Sequence, residues 1–150
     1  IVGEMRDYEA ISTALTAAET GHLVLGTMHS PNVIHALERI VGVFEGAAQR
    51  QIILQLSNSL QGVVAQELLP AADRTRRVLA YEVIVANSAI RNLIRENQLH
   101  QIENAIQTGR REGMILMDDC LYDLYCKCFI TYDTAVSRAR HPDRIARRKL

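Results

Sequence analysis

Residues 1–30 read IVGEMRDYEAISTALTAAETGHLVLGTMHS, and their pattern predicts strand, helix and strand in turn. Ile1–Gly3 reads as the end of a buried strand, with no initiator Met and no turn before it. A natural beginning there would leave a buried strand edge unsupported, so the chain is expected to be a piece of a longer protein. Asp7 stands where an N-cap belongs, and Tyr8–Thr20 follows with Ile11, Leu15 and Ala18 at helical spacing. Gly21 occupies the position just past the helix end that favours glycine. His22–Met28 is then an almost continuous apolar run of strand length. Such a βαβ unit predicts parallel strands covered on both faces.

Outward from this unit, Ser30-Pro31 predicts an N-cap and first-turn proline, opening a helix through Phe44. A longer helix is expected from about Ala47 to Leu60, with Ile52, Ile53, Leu56 and Leu60 on one side. Val63–Leu69 and Val78–Ala86 read as two strands joined by the polar turn Ala71–Arg77, an antiparallel hairpin. Beyond Asn87 the pattern becomes short helices only, at 89–97, 99–108, about 116–127, 132–139 and 142–149, with Asn87/Ser88, Thr131 and Pro142 marking starts. The expected boundary therefore falls near residue 86, an α/β piece preceding a helical domain.

Composition narrows the function classes. A chain of 150 residues can bury roughly 68–70% of its unfolded surface. That suits one domain or two small ones. Lys+Arg 17 against Asp+Glu 17 gives zero net charge, so no bulk drive toward nucleic acid or anionic lipid exists. Residues 1–85 carry net −3 and residues 86–150 net +3, a split suited either to contacts between subunits or to a solvated surface. Cys120, Cys126 and Cys128 lack C-x-x-C spacing, and His141 is the nearest candidate nitrogen ligand; ordinary reduced thiols of a cytosolic protein are expected. No transmembrane segment is expected, since no apolar run approaches the roughly 20 residues a span needs. The closing basic stretch, Arg138 to Lys149, reads as a solvated helix end.

In a parallel α/β sheet, ligands bind outside the carboxyl ends of the strands. Glu4 directly follows the first predicted strand, and His29 the second. A carboxylate there can polarise water for attack on a phosphoryl group, or hold magnesium through water. An imidazole beside it can hydrogen-bond a phosphate or that water. Both residues are equally readable as exposed polar groups at strand ends. His22 lies seven residues before His29, roughly 23 Å along a strand, so it is expected at the opposite edge. There it would be structural or face a subunit. In 89–97, Ile90, Leu93 and Ile94 form an apolar stripe, while Arg91 and Arg95 stack at i, i+4 on the side expected to be exposed.

The opening 30 residues resemble the Walker B and histidine-box segment of the secretion-superfamily P-loop ATPases. SAIRNLIRENQLHQI (88–102) is similar to the AIRNLIRE signature of their type IV pilus retraction branch. LQGVVAQELLP and RVLAYEVIVAN extend the likeness, and GMILMDDCLYDLY and ITYDTAV do so more loosely. The resemblance implies the C-terminal part of a RecA-like ATPase domain (1–86) followed by a small all-helical domain (87–150). It implies Glu4 as the catalytic Walker B glutamate, binding Mg²⁺ through water, and His29 in the catalytic histidine box. Arg6 and His22 are implied as further box or nucleotide-binding residues. Ala89, Ile90, Arg91, Asn92, Leu93, Ile94, Arg95 and Glu96 become a motility motif. The implied ligands are ATP and Mg²⁺. The implied assembly is a cytoplasmic homo-hexamer, peripheral at the inner membrane against the pilus assembly platform, hydrolysing ATP to power pilus retraction.

Some features depart from that pattern. The phosphate loop G-x-x-x-x-G-K-[ST] does not occur, and neither Lys127 nor Lys149 follows a glycine. Without it nucleotide affinity is expected to collapse. Asp118-Asp119-Cys120 and Cys126-Lys127-Cys128 are more acidic and thiol-rich than the family's pattern. The rival readings are an extension or type II secretion ATPase, which would often carry a four-cysteine zinc insert, and a non-catalytic interaction module that lost phosphate binding.

Overall fold

The computed structural model describes residues 1–146. Helix α1 (Tyr8–Glu19) starts where the Asp7 carboxylate accepts the Ala10 amide, and it ends at Gly21, whose φ of 94° favours glycine. The run His22–Met28 forms no named strand. It is extended and joined to the first segment by one parallel bridge, Val2 to Gly26. A buried parallel strand needs neighbours on both edges and cover on both faces. Here the run has only Ile1–Gly3 beside it, and Leu23 is 80% exposed.

Helix α2 (Val33–Gly42) begins later than the Ser-Pro pair predicts. Asn32 is the N-cap, its side chain accepting the His35 amide at 2.9 Å, while the Ser30 hydroxyl donates to the Asn32 carbonyl. Asparagine caps as well as serine does, and the cap that aligned with the apolar stripe Val33, Ile34, Leu37 and Val41 prevailed. Helix α3 (Gly46–Ser59) follows and buries Ile52, Ile53 and Leu56.

Strands β1 (Gly62–Pro70) and β2 (Arg77–Val85) pair antiparallel, Gly62 opposite Val85 through Pro70 opposite Arg77, forming the expected hairpin. Helix α4 (Ser88–Arg95) is capped by Asn87. The expected helix 99–108 is a 3₁₀ turn, Leu99–Gln101, leading into α5 (Ile102–Thr108). A further 3₁₀ turn at Arg110–Glu112 precedes α6 (Met117–Cys126), and Thr131 caps α7 (Tyr132–Arg138). Helix α8 spans Pro142–Ala146; the rest of the expected helix, with Arg147, Arg148 and Lys149, lies outside the described residues.

Two apolar groups hold the elements. The larger joins α1, α2 and α3 to the hairpin residues Ala65 and Ile84, and then to Ile90 and Ile94 of α4 and Ile102 and Ile106 of α5. It is continuous across residue 86. The smaller packs Leu69 and Ala80 of the hairpin against Leu121, Ile130, Ala135 and Ile145. Polar ties reinforce this second group. Arg138 pairs with Glu67 at 2.9 Å, and Glu103 receives Arg144 at 2.6 Å, His141 at 3.3 Å and Arg140 at 3.7 Å. Arg138, Arg140 and Arg144 stay largely solvated, as expected of this stretch, while each also pairs with a carboxylate. Helix α7, helix α8 and the link between them place these guanidiniums by carboxylates that the hairpin and α5 supply.

Candidate active site

The opening segment and the run 22–28 lie side by side through four bonds. Val2 N–H donates to Leu25 O (2.9 Å), Thr27 N–H to Val2 O (3.4 Å) and Met5 N–H to Thr27 O (2.8 Å). The Thr27 hydroxyl donates to the Gly3 carbonyl. Gly26 leaves room at this crossing for the end of the Met5 side chain, whose sulfur and methyl lie 2.8 Å from where a Cβ would stand. The two segments run parallel, so Glu4 and His29 emerge at the same end.

The side chains meet there. His29 Nε2 lies 3.4 Å from Glu4 Oε1, and the Arg6 guanidinium contacts the same oxygen. Glu4 is 23% exposed and His29 82%, so the carboxylate sits in a shallow recess beneath an open imidazole. The Arg6 hydrogen bond holds the Glu4 carboxyl below its ordinary range; burial opposes it, and the charges of Arg6, His29 and Arg39 assist. Glu4 is thus ionised at neutral pH. Arg39 contributes more than charge. Its Nη1 donates to the His29 carbonyl at 2.8 Å, tying the His29 turn to α2. Sequence reasoning passed over Arg39, although ten residues after His29 on a helix was a visible position for such a tie.

His22 stays apart from this trio. Its Nδ1 lies 3.1 Å from the Thr20 hydroxyl and 3.3 Å from Ala17 O, so it closes the end of α1.

The motif helix α4 lies on α3. Ile90 and Ile94 are fully buried, and Leu93 is half-buried against the same core. Arg91 is not an exposed-side residue. Its Nη1 donates to Ser57 O (3.0 Å) and Asn58 O (2.7 Å), capping carbonyls that the end of α3 leaves free. Arg95 is exposed and reaches Asn58 Oδ1 at 3.4 Å. Of the three thiols, Cys120 is buried with the Tyr81 amide 3.4 Å from its sulfur, Cys126 is half-buried and Cys128 is exposed.

The trio supplies an ionised carboxylate, a guanidinium and an imidazole at one edge. A carboxylate so placed fits a magnesium ion's bound water or an attacking water, and the two cationic partners fit phosphate oxygens. The chain offers no lysine-bearing glycine loop to cradle the β- and γ-phosphates.

Comparison with known proteins shows the family. The family model "Type II/IV secretion system protein" matches residues 1–120. A twitching motility protein of Neisseria gonorrhoeae is 45% identical over 143 residues, covering 95% of this chain and 38% of that protein. The type IV pilus retraction ATPase PilT of Pseudomonas aeruginosa is 44% identical over 143 residues, covering 95% of this chain and 41% of that protein. Among solved structures, the pilus retraction motor PilT with bound ADP superposes with a TM-score of 0.86 at 45% identity, over 97% of this chain and 40% of that one. The Legionella pneumophila ATPase DotB gives a TM-score of 0.77 at 29% identity, over 89% of this chain and 36% of that one. The chain thus spans about two fifths of the length of these relatives. With the parallel crossing and the fold in agreement, the chain belongs to the Type II/IV secretion system protein family and has the fold of the C-terminal part of a P-loop ATPase.

Proposed function

We propose that this chain works within a hexameric motor that hydrolyses ATP to retract type IV pili and so power twitching motility, in the cytoplasm against the inner-membrane pilus assembly platform. Residues 1–86 are then the C-terminal portion of its RecA-like core and residues 87–150 its helical domain. The observation that carries the reading is the convergence of Glu4, Arg6 and His29 at the carboxyl edge of two parallel segments. The likeness to retraction ATPases over 95% of the chain supports it. That likeness favours retraction over extension, and no C-x-x-C pair of the extension branch's zinc insert occurs in the sequence.

Bound Mg²⁺ would neutralise phosphate charge and organise water around it. Glu4, ionised beside Arg6, accepts a proton from the attacking water or orients a magnesium-bound one. His29 donates a hydrogen bond to a phosphate oxygen or to that water, its turn held by Arg39. Arg6 guards the carboxylate until the nucleotide's charge competes for it.

The 150-residue chain by itself neither binds ATP tightly nor turns it over, because it lacks the phosphate cradle. Calorimetry giving micromolar ATP affinity for the chain overturns that statement. The decisive experiment uses the intact protein. Glu4→Gln retains ATP binding and lowers turnover by about 10²–10⁴-fold, the scale of a lost general base. Wild-type turnover by that variant removes Glu4 from the chemistry, whereas an intact protein with no ATP turnover at all is the non-catalytic interaction module.

A further inference from the structure

On β2, the inward-facing residues are Ala80, Glu82 and Ile84. Glu82 is a carboxylate in a row of core side chains and is only 4% exposed. Such a group is retained at a cost unless every oxygen is used. Its Oε2 accepts the Val33 amide at 2.9 Å, and the carboxylate lines one cavity with Met117, whose amide favours its charged form. Val33 is the first residue of α2 and Met117 the first of α6. Both amides belong to the unpaired donors of a helix start, at the positive end of the helix dipole. Helix α6 has Leu116 at its N-cap and no side-chain cap of its own, so Glu82 supplies from another element what the local sequence omits. Asp118 and Arg140 face the carboxylate with opposite signs, beside a cavity of about 300 Å³.

We propose that Glu82 is a positioning residue, a carboxylate clamp that holds the starts of α2 and α6 together and thereby fixes the His29 turn. His29 lies on the turn that leads into α2: three residues separate it from Val33, and Arg39 of that helix holds the His29 carbonyl. Helix α6 packs with α7 and α8 around Leu121 and Ile145. A displacement of these C-terminal helices therefore reaches His29 through one side chain. The link to hydrolysis rests on the reading of Glu4 and His29 given above. The clamp itself does not.

The test is amide hydrogen exchange and NMR on the 150-residue chain, with Glu82→Ala, Glu82→Gln and a core control, Ile106→Val. Glu82→Ala lowers protection at Val33 and Met117 together by ten- to a hundredfold beyond any change across β1, and it shifts the His29 ring signals. Glu82→Gln keeps the shape and one acceptor oxygen, so it folds, loses only a few-fold at the two amides and restores the His29 signals. Ile106→Val changes protection uniformly and leaves His29 in place. Protection at Val33 and Met117 that tracks β1 in both Glu82 variants overturns the clamp, as does loss at one helix alone or an unmoved His29. In the intact protein, Glu82→Ala lowers kcat for ATP at least fivefold with KM within twofold. If the clamp is lost while kcat is unchanged, the link to turnover is wrong. A failure of the functional reading registers separately, as wild-type turnover in His29→Ala.

Discussion

At the residue scale, Glu4 and His29 share one oxygen contact, whereas His22 is spent on the end of α1. His29→Ala in the intact protein is therefore expected to lower ATP turnover far more than His22→Ala. Steady-state rates of the two variants check this, and equal losses would show that His22 reaches the nucleotide by a route the fold does not provide. Arg6 is a second discriminator. Its guanidinium is the largest influence holding the Glu4 carboxyl low. Arg6→Ala raises that pKa, so the acidic limb of the ATPase pH profile moves toward neutral pH. An unmoved acidic limb would mean that another cation replaces Arg6 once nucleotide is bound.

At the scale of elements, α4 separates packing from force transmission. Ile94 is fully buried, so Ile94→Ala is expected to cost about 2–5 kcal/mol through lost burial and the cavity left behind. Arg91 caps α3 through two charge-assisted bonds, and Arg91→Ala is expected to cost about 1–3 kcal/mol, well above an ordinary surface change. Lysine cannot reproduce the planar fork, so Arg91→Lys recovers only part of that loss. Arg95 is the clean probe of motility. It is exposed and makes one long contact, so Arg95→Ala should stay within about 0.5 kcal/mol of wild type in thermal unfolding. If the helix transmits force, that variant hydrolyses ATP normally in the intact protein yet fails to retract pili. Normal twitching zones would return α4 to a purely structural role.

At the scale of the whole molecule, Glu103 ties α5 to the segment that opens α8. Burial raises its pKa, but hydrogen bonds from Arg144 and His141 and their charges outweigh burial and hold it below 4.5. A depressed carboxylate stabilises the fold above its unfolded-state pKa, and that stabilisation disappears as pH falls through the lower folded value. Glu103→Gln is therefore expected to be less stable than wild type at pH 7. The two unfolding curves should converge as pH falls from the ordinary glutamate range through the lower folded value. Parallel curves down to pH 2 would mean that the cluster contributes nothing electrostatic. Glu82 behaves oppositely. Burial raises its pKa, so its ionisation costs stability as pH rises, in keeping with a group retained for placement.

The sequence alone determined what nearest neighbours along the chain control. The pairing of β1 with β2 followed from two strand-like runs around a polar turn, and α1, α4 and α7 from Asp7, Asn87 and Thr131 acting within three residues of themselves. The motif order identified the family, and placing Glu4 and His29 at successive strand ends brought them to one edge. Tertiary structure decided the rest, because the partners lie far apart in the chain. Arg91 meets Ser57 across 34 residues, Arg144 meets Glu103 across 41, and Val33 meets Glu82 across 49. No periodicity encodes such pairs; docking of preformed helices onto the hairpin does. Sequence reasoning passed over Glu82, an acid whose core-facing strand position and partners only the folded molecule shows.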